Sequence, residues 1–222
     1  MRGSALEDRR FTTSFISAPV EQQVVQRLQE LSEDQLLEMW TNFSKFGNAR
    51  GMTRSIFEAF IHRRFRTRID LHAQPMMRTT RINSRWHASS STKRPRSATV
   101  LGVAQLVLPL QVDVGSTSVY VLNTALIIEP DIYYMPQSDQ QPALDSFILH
   151  GGHLYVFQCT GGQAHKINDA LVGFLATCSG LPPRTNWHFI FIIPDDLLSF
   201  SCPSSSNSVI RNLGLYTATI PM

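Results

Sequence analysis

The sequence predicts an α/β fold: one mixed β-sheet flanked by helices, with a helical preface at the N-terminus. Three observations carry this expectation. Apolar residues recur at three- and four-residue steps up to about residue 66, then give way to short β-rich runs from residue 98 onward. One further helical stretch, at 168–177, interrupts those runs. Residues 187–193 (WHFIFII) are almost wholly apolar, as in a central strand buried on both faces.

The elements follow in order. Val24, Leu28, Leu31, Leu36, Met39 and Trp40 keep helical spacing with one slip, which predicts two short helices at 20–31 and 33–46. Ser32-Glu33-Asp34-Gln35 has the form of a helix start, with acids in its first turn. The stretch 47–51 (GNARG) breaks the pattern. Thr53 then stands as the cap of a third helix at 54–66, whose apolar stripe is Ile56, Phe57, Phe60, Ile61 and Phe65. Glu58 sits on the edge of that stripe, and His62 lies one turn later on the same face. Residues 83–97 (NSRWHASSSTKRPRS) read as an exposed loop. Strand-like runs follow at 98–110, 118–128, 131–135, 143–149 and 153–159, the last two joined as a hairpin by Gly151-Gly152. After the helix at 168–177 and the strand at 187–193, residues 201–208 read as a polar loop and 209–220 as one or two final strands.

Composition limits the function classes. The chain has 222 residues, 43% of them apolar, which fits a folded domain rather than a disordered segment. No window approaches 18 uninterrupted apolar residues, so no membrane span is expected. MRGSALEDRR carries charge without an apolar run, so it is not a signal peptide; it reads as an artificial or internal start of a longer parent. Cys159, Cys178 and Cys202 lack zinc-ligand spacing and are odd in number, which favours buried free thiols. The net charge of +3 is unevenly placed. Ten of the twenty Lys and Arg fall between residues 62 and 96: Arg63, Arg64, Arg66, Arg68, Arg78, Arg81, Arg85, Lys93, Arg94 and Arg96. From residue 97 onward acids outnumber bases, eight to three. A basic block beside an acidic region suits a polyanion such as nucleic acid; a solvated loop accounts for it equally well.

The strand pair around Gly151-Gly152 holds one polar interruption on each side, Asp145 and Gln158. Alternation places Asp145 with Phe147 and Leu149, and Gln158 with Val156, Leu154 and then Thr160. Pairing about the turn brings Asp145 and Gln158 to the open end of the hairpin, within reach of one metal ion. A buried carboxylate is costly unless paired, hydrogen-bonded or bound to a cation; the alternative is a strand-edge residue facing water. Glu58 also reads as the polar edge of an amphipathic helix, and Gln158 with Thr160 as a hydrogen-bonded pair within the sheet. His165 reads as a turn cap, Lys166 as a solvated charge, and His150 and His153 as solvent-facing. Gly161-Gly162 before a helix start could admit a phosphate.

A helix acid, a strand Asp, a strand with polar positions two apart and then a helix is the order of the PD-(D/E)XK nuclease fold. More narrowly, the chain resembles the nuclease-like domain of Crinkler effectors and retrotransposon hot spot proteins. The residues concerned are 55–62 (SIFEAFIH), 134–136 (YMP), 142–148 (PALDSFI), and Phe157-Gln158-Cys159-Thr160 followed by His165-Lys166-Ile167. The order holds over about residues 47–193. The resemblance implies a restriction-endonuclease-like sandwich at 47–222 behind a helical segment at 1–46. It implies a Mg²⁺ or Mn²⁺ ion held by Asp145, Gln158 and Glu58, with the Cys159 carbonyl as a further ligand. Thr160 stands where the family carries a catalytic Lys, a role left to His165 or Lys166. It further implies phosphodiester hydrolysis of DNA, with RNA as the other polymer, and Arg63, Arg64, Arg66, Arg68, Lys93, Arg94 and Arg96 as nucleic-acid contacts. Secretion into a host nucleus, a host nuclear partner protein and an upstream NTPase module belong to the same implication; no GxxxxGK[ST] motif occurs here. The alternative is a catalytically degenerate nuclease fold that binds nucleic acid or a host protein; a structural helper for a neighbouring module is a third reading.

Overall fold

The computed structural model describes residues 18–46, 49–78, 85–88, 107–121, 124–137 and 144–222. Lys93, Arg94 and Arg96 lie outside them, as does most of the loop expected at 83–97. Three helices open the chain: α1 (Ala18–Glu30), α2 (Glu33–Phe43) and α3 (Arg50–Phe65). Then come strands β1 (Arg68–Pro75), β2 (Met77–Arg78), β3 (Arg85–His87), β4 (Leu108–Asp113), β5 (Ser116–Tyr120), β6 (Leu126–Ile127), β7 (Ile132–Pro136), β8 (Ser146–His150) and β9 (His153–Cys159). Helix α4 (Ala170–Thr177), strands β10 (Cys178–Ser179), β11 (Trp187–Pro194) and β12 (Ser201–Pro203), helix α5 (Ser208–Arg211) and strand β13 (Gly214–Ile220) complete it.

The main sheet has eight strands in the order β4-β1-β13-β11-β9-β8-β7-β5. Strand β11 lies inside it and runs parallel to both neighbours, β9 and β13. The hairpin strands β8 and β9 are antiparallel, so the sheet is mixed. One face packs under α1–α3: Leu28, Leu36, Phe57, Ile61 and Phe65 share a core with Ile148, Phe157 and Ile190. The other face packs Phe147, Val156, Phe189 and Phe191 against Leu171, Phe174 and Leu175 of α4. Burial on both faces explains the unbroken apolar run of β11. The chain is therefore an α/β fold with one large mixed sheet between helices. Among the described residues no helix is long and apolar enough to cross a membrane.

Local chemistry accounts for the ends of the elements. Ser32 accepts from the Gln35 N–H, and the Gln35 side chain accepts from the Ser32 N–H, a capping box that starts α2. Helix α3 begins at Arg50, earlier than the expected start at 54, so Thr53 is not its cap. Its hydroxyl donates instead to the Ala49 carbonyl from inside the first turn. Residues 68–75, a segment of the basic stretch for which no element was expected, form a strand. Ile69, Leu71 and Ala73 point inward while Arg68, Asp70 and His72 point out, a clean two-residue period. Residues 201–203 form β12, which pairs with β3, where a polar loop was expected. The run 209–220 opens with α5, capped by Asn207, whose side chain accepts from the Val209 N–H at 2.9 Å; only β13 is a strand.

Phe157 is fully buried and meets Phe65 edge-on at 5.3 Å between ring centroids, which ties the hairpin to α3. Phe157→Ala is expected to destabilise the fold by about 3–5 kcal/mol, read as a lower denaturation midpoint in urea at an unchanged slope.

Candidate functional site

The Gly151-Gly152 turn fixes the site. Both glycines have positive φ, 57° and 76°, as the tight hairpin turn between β8 and β9 demands. The register runs from His150 opposite His153 to Ser146 opposite Phe157. One step further places Asp145 opposite Gln158, on the same face. Gln158 Nε2 donates to Asp145 Oδ1 at 2.7 Å, and the Cys159 N–H donates to Asp145 Oδ2 at 2.5 Å. The Asp145 N–H donates to the Phe157 carbonyl at 3.0 Å and holds the backbone in register. Asp145 and Gln158 are both buried.

Burial pushes the Asp145 carboxyl up to about 8, and the negative charge of Glu58 adds to the rise. Arg54, the Cys159 N–H and His62 act in the opposite direction. The charged influences come from one stripe of α3, where Arg54, Glu58 and His62 follow at four-residue steps. His62 Nε2 lies 3.6 Å from Glu58 Oε1, and its Nδ1 lies 2.8 Å from the Tyr133 hydroxyl. Tyr133 donates to the Ser146 hydroxyl at 2.8 Å. The Tyr133 hydroxyl thus bridges His62 Nδ1 and the Ser146 hydroxyl, and the other ring nitrogen of His62 lies on the Glu58 side. This chain seats α3 on β7 and β8 immediately beside Asp145.

The structure gathers part of the expected set. Asp145 and Gln158 are in contact, and the charge of Glu58 reaches them. Thr160 is buried, and its hydroxyl accepts from the Gly162 N–H at 3.2 Å rather than pairing with Gln158. His165 is half-buried; burial, then the Arg54 charge, lowers its pKa. Lys166 is exposed. Gly161-Gly162 precede α4 by several residues, so they do not form its N-terminus. His150 and His153 do not simply face solvent: His150 Nδ1 pairs with Asp131 Oδ1 at 2.6 Å, and His153 Nδ1 meets His188 Nε2 at 3.0 Å. Arg63 and Arg64 lie in the last turn of α3 and Arg66 caps its end. Arg68 faces two acids, Asp70 at 3.9 Å and Asp113 at 4.0 Å, which lessens its value as a free phosphate contact. Sequence reasoning missed Arg54, Tyr133 and Ser146. The four-residue step from Arg54 to Glu58 was the available signal for the first.

Among the described residues no three His, Cys, Asp or Glu side chains group tightly enough to hold a metal ion alone. A divalent cation would therefore depend on Asp145 and Glu58 together with the neutral oxygen of Gln158. The Gln158 amide NH2 and the Cys159 N–H occupy both Asp145 oxygens, so such a cation would need Gln158 to turn its oxygen inward, while it would relieve the burial and repulsion that raise Asp145.

The raised carboxyl predicts a pH dependence. Asp145 favours the folded state when protonated, so this contribution is complete below about pH 4 and is lost as pH rises toward 8. Asp145→Asn should flatten that decline, whatever constant offset the amide introduces; denaturation midpoints of both proteins from pH 4 to 9 measure it. Comparison with family models, with curated proteins and with solved structures returns no match to this chain.

Proposed function

We propose that the chain is a nuclease-like domain of Crinkler type, with a restriction-endonuclease-like sheet, that engages DNA and hydrolyses its phosphodiesters slowly with Mg²⁺ or Mn²⁺. One observation carries this reading: Asp145 and Gln158, from adjacent strands, meet at the open end of the hairpin under the charge of Glu58 from the first-layer helix. Bound there, the cation would polarise the phosphate and supply hydroxide at neutral pH. The chain's own residues provide the rest. Asp145 would supply the charge once a bound cation lowers its pKa, and the Cys159 N–H fixes its orientation. His62, tied to Tyr133 and through it to Ser146, lies 3.6 Å from the helix acid Glu58. His165, favoured in its neutral form, is the group able to accept a proton where Thr160 cannot. The rate is low because Gln158 brings no charge and position 160 has no amine.

A second reading is favoured by the hydrogen bond itself. Gln158 closes on Asp145 and occupies a carboxylate oxygen, as a fold that has kept DNA binding and lost hydrolysis would allow.

Nicking of supercoiled plasmid and thermal melting, each with Mg²⁺, Mn²⁺ or EDTA, separate the two. The first reading expects slow nicking that Asp145→Ala abolishes, and a Tm raised by Mn²⁺ in the wild type but not in Asp145→Asn. A folded chain that binds DNA, cuts none with either ion and melts identically with and without Mn²⁺ establishes the second.

A further inference from the structure

A cleft of about 580 Å³ opens between the helices and the segment after β9, lined by Trp40, Arg54, Thr160, Gly161, Gly162 and Gln163 among others. Arg54 also lines a smaller cleft of about 210 Å³ that holds Glu58 and His62. The guanidinium thus sits at the seam of two cavities, one against the acid and one against the glycines. It is exposed, and it makes no hydrogen bond or ion pair with another described residue. Its charge is nevertheless felt at Asp145, Cys159 and His165. An arginine that folds onto no carboxylate is free to take an anion, and its planar fork suits phosphate.

The same cleft has an aromatic lining residue. Trp40 is half-buried and packs against Phe57, with ring centroids 5.7 Å apart. A Cβ added at Gly161 would meet nothing within 4 Å, so the floor of the cleft is open. A cavity of this size lies within the range that holds a nucleotide-sized ligand, about 300–1,000 Å³. A cation and an aromatic face in one such cleft suit a nucleotide whose base is unstacked from its neighbours, since a base inside a duplex cannot offer its face to a side chain.

We infer that this cleft holds one unpaired nucleotide of a DNA strand, with its phosphate on Arg54 and its base against Trp40. The inference rests on the reading of the domain as DNA-engaging and adds the strand form and the two residues that hold it.

Fluorescence anisotropy with a fluorescein-labelled 12-nucleotide single strand and with its duplex tests it, in EDTA so that nothing is cut. The wild type should bind the single strand more tightly than the duplex. Arg54→Ala should weaken single-strand binding about tenfold at low salt and reduce the log–log salt slope by about 0.7, the loss of one phosphate contact. Arg54→Lys should restore most of the slope, which a merely structural role would not do. Trp40→Leu, if folded, should weaken the single strand more than the duplex; because Arg54 is exposed, its variants decide the question should Trp40→Leu unfold. A wild type that binds DNA while Arg54→Ala leaves affinity and slope unchanged overturns the inference and leaves the DNA-engaging reading intact. Preference for the duplex likewise overturns the unpaired nucleotide alone. A wild type that binds neither form overturns both.

Discussion

The carboxyl of Asp145 is buried where β8 and β9 open; that burial, with the Glu58 charge, pushes it up to about 8, and nearby donors offset only part of the cost. A lone carboxylate there would be expelled or protonated. Two donors face its two oxygens: the Gln158 amide from the adjacent strand and the Cys159 N–H from the ladder itself. Both depend on the register of the hairpin, and the register depends on the left-handed backbone of Gly151 and Gly152 at its far end. A slip of one residue would send Asp145 and Gln158 to opposite faces. The turn and the polar pair therefore constrain each other along the whole length of the hairpin.

Helix α3 supplies the charge. Its apolar residues bury against the sheet, and Arg54, Glu58 and His62 run beside them as a second stripe at four-residue steps. Glu58 raises the Asp145 carboxyl while Arg54 and His62 oppose it, so the site carries a balance that any added ion disturbs. The Tyr133 phenol joins His62 to Ser146 and fixes how that stripe meets the strands. Protein stability and ligand chemistry are linked at this point: the group that burdens the fold as pH rises is the one that a cation would relieve.

Much of this could be read before the structure, because period and punctuation act locally. The Ser32-to-Gln35 cap, the glycine turn, the wholly apolar β11 and the convergence of Asp145 with Gln158 all follow from alternation and short-range chemistry. Strand β1 was legible too, since Arg68, Asp70 and His72 alternate with Ile69, Leu71 and Ala73, but reading the stretch as a basic block passed over it. Helix α5 escaped because a four-residue helix has no period to recognise. Tyr133 and Ser146 gave no sign of joining His62, since a buried hydroxyl chain is defined by three elements meeting in space rather than by spacing in any one of them. Lys166 is exposed, in keeping with its reading as a solvated charge, while His165 is the one drawn inward.

The central claim is that burial, with the Glu58 charge beside it, raises the Asp145 carboxyl, which a cation would lower. Direct NMR titration of the side-chain ¹³C carboxyl resonance, assigned by comparison with Asp145→Asn, tests it without reference to stability or turnover. The account predicts a midpoint near 8 in EDTA, moved downward in Glu58→Gln and downward again when Mg²⁺ is added to the wild type. A midpoint near the ordinary Asp value of about 4, indifferent to Glu58 and to Mg²⁺, would contradict it.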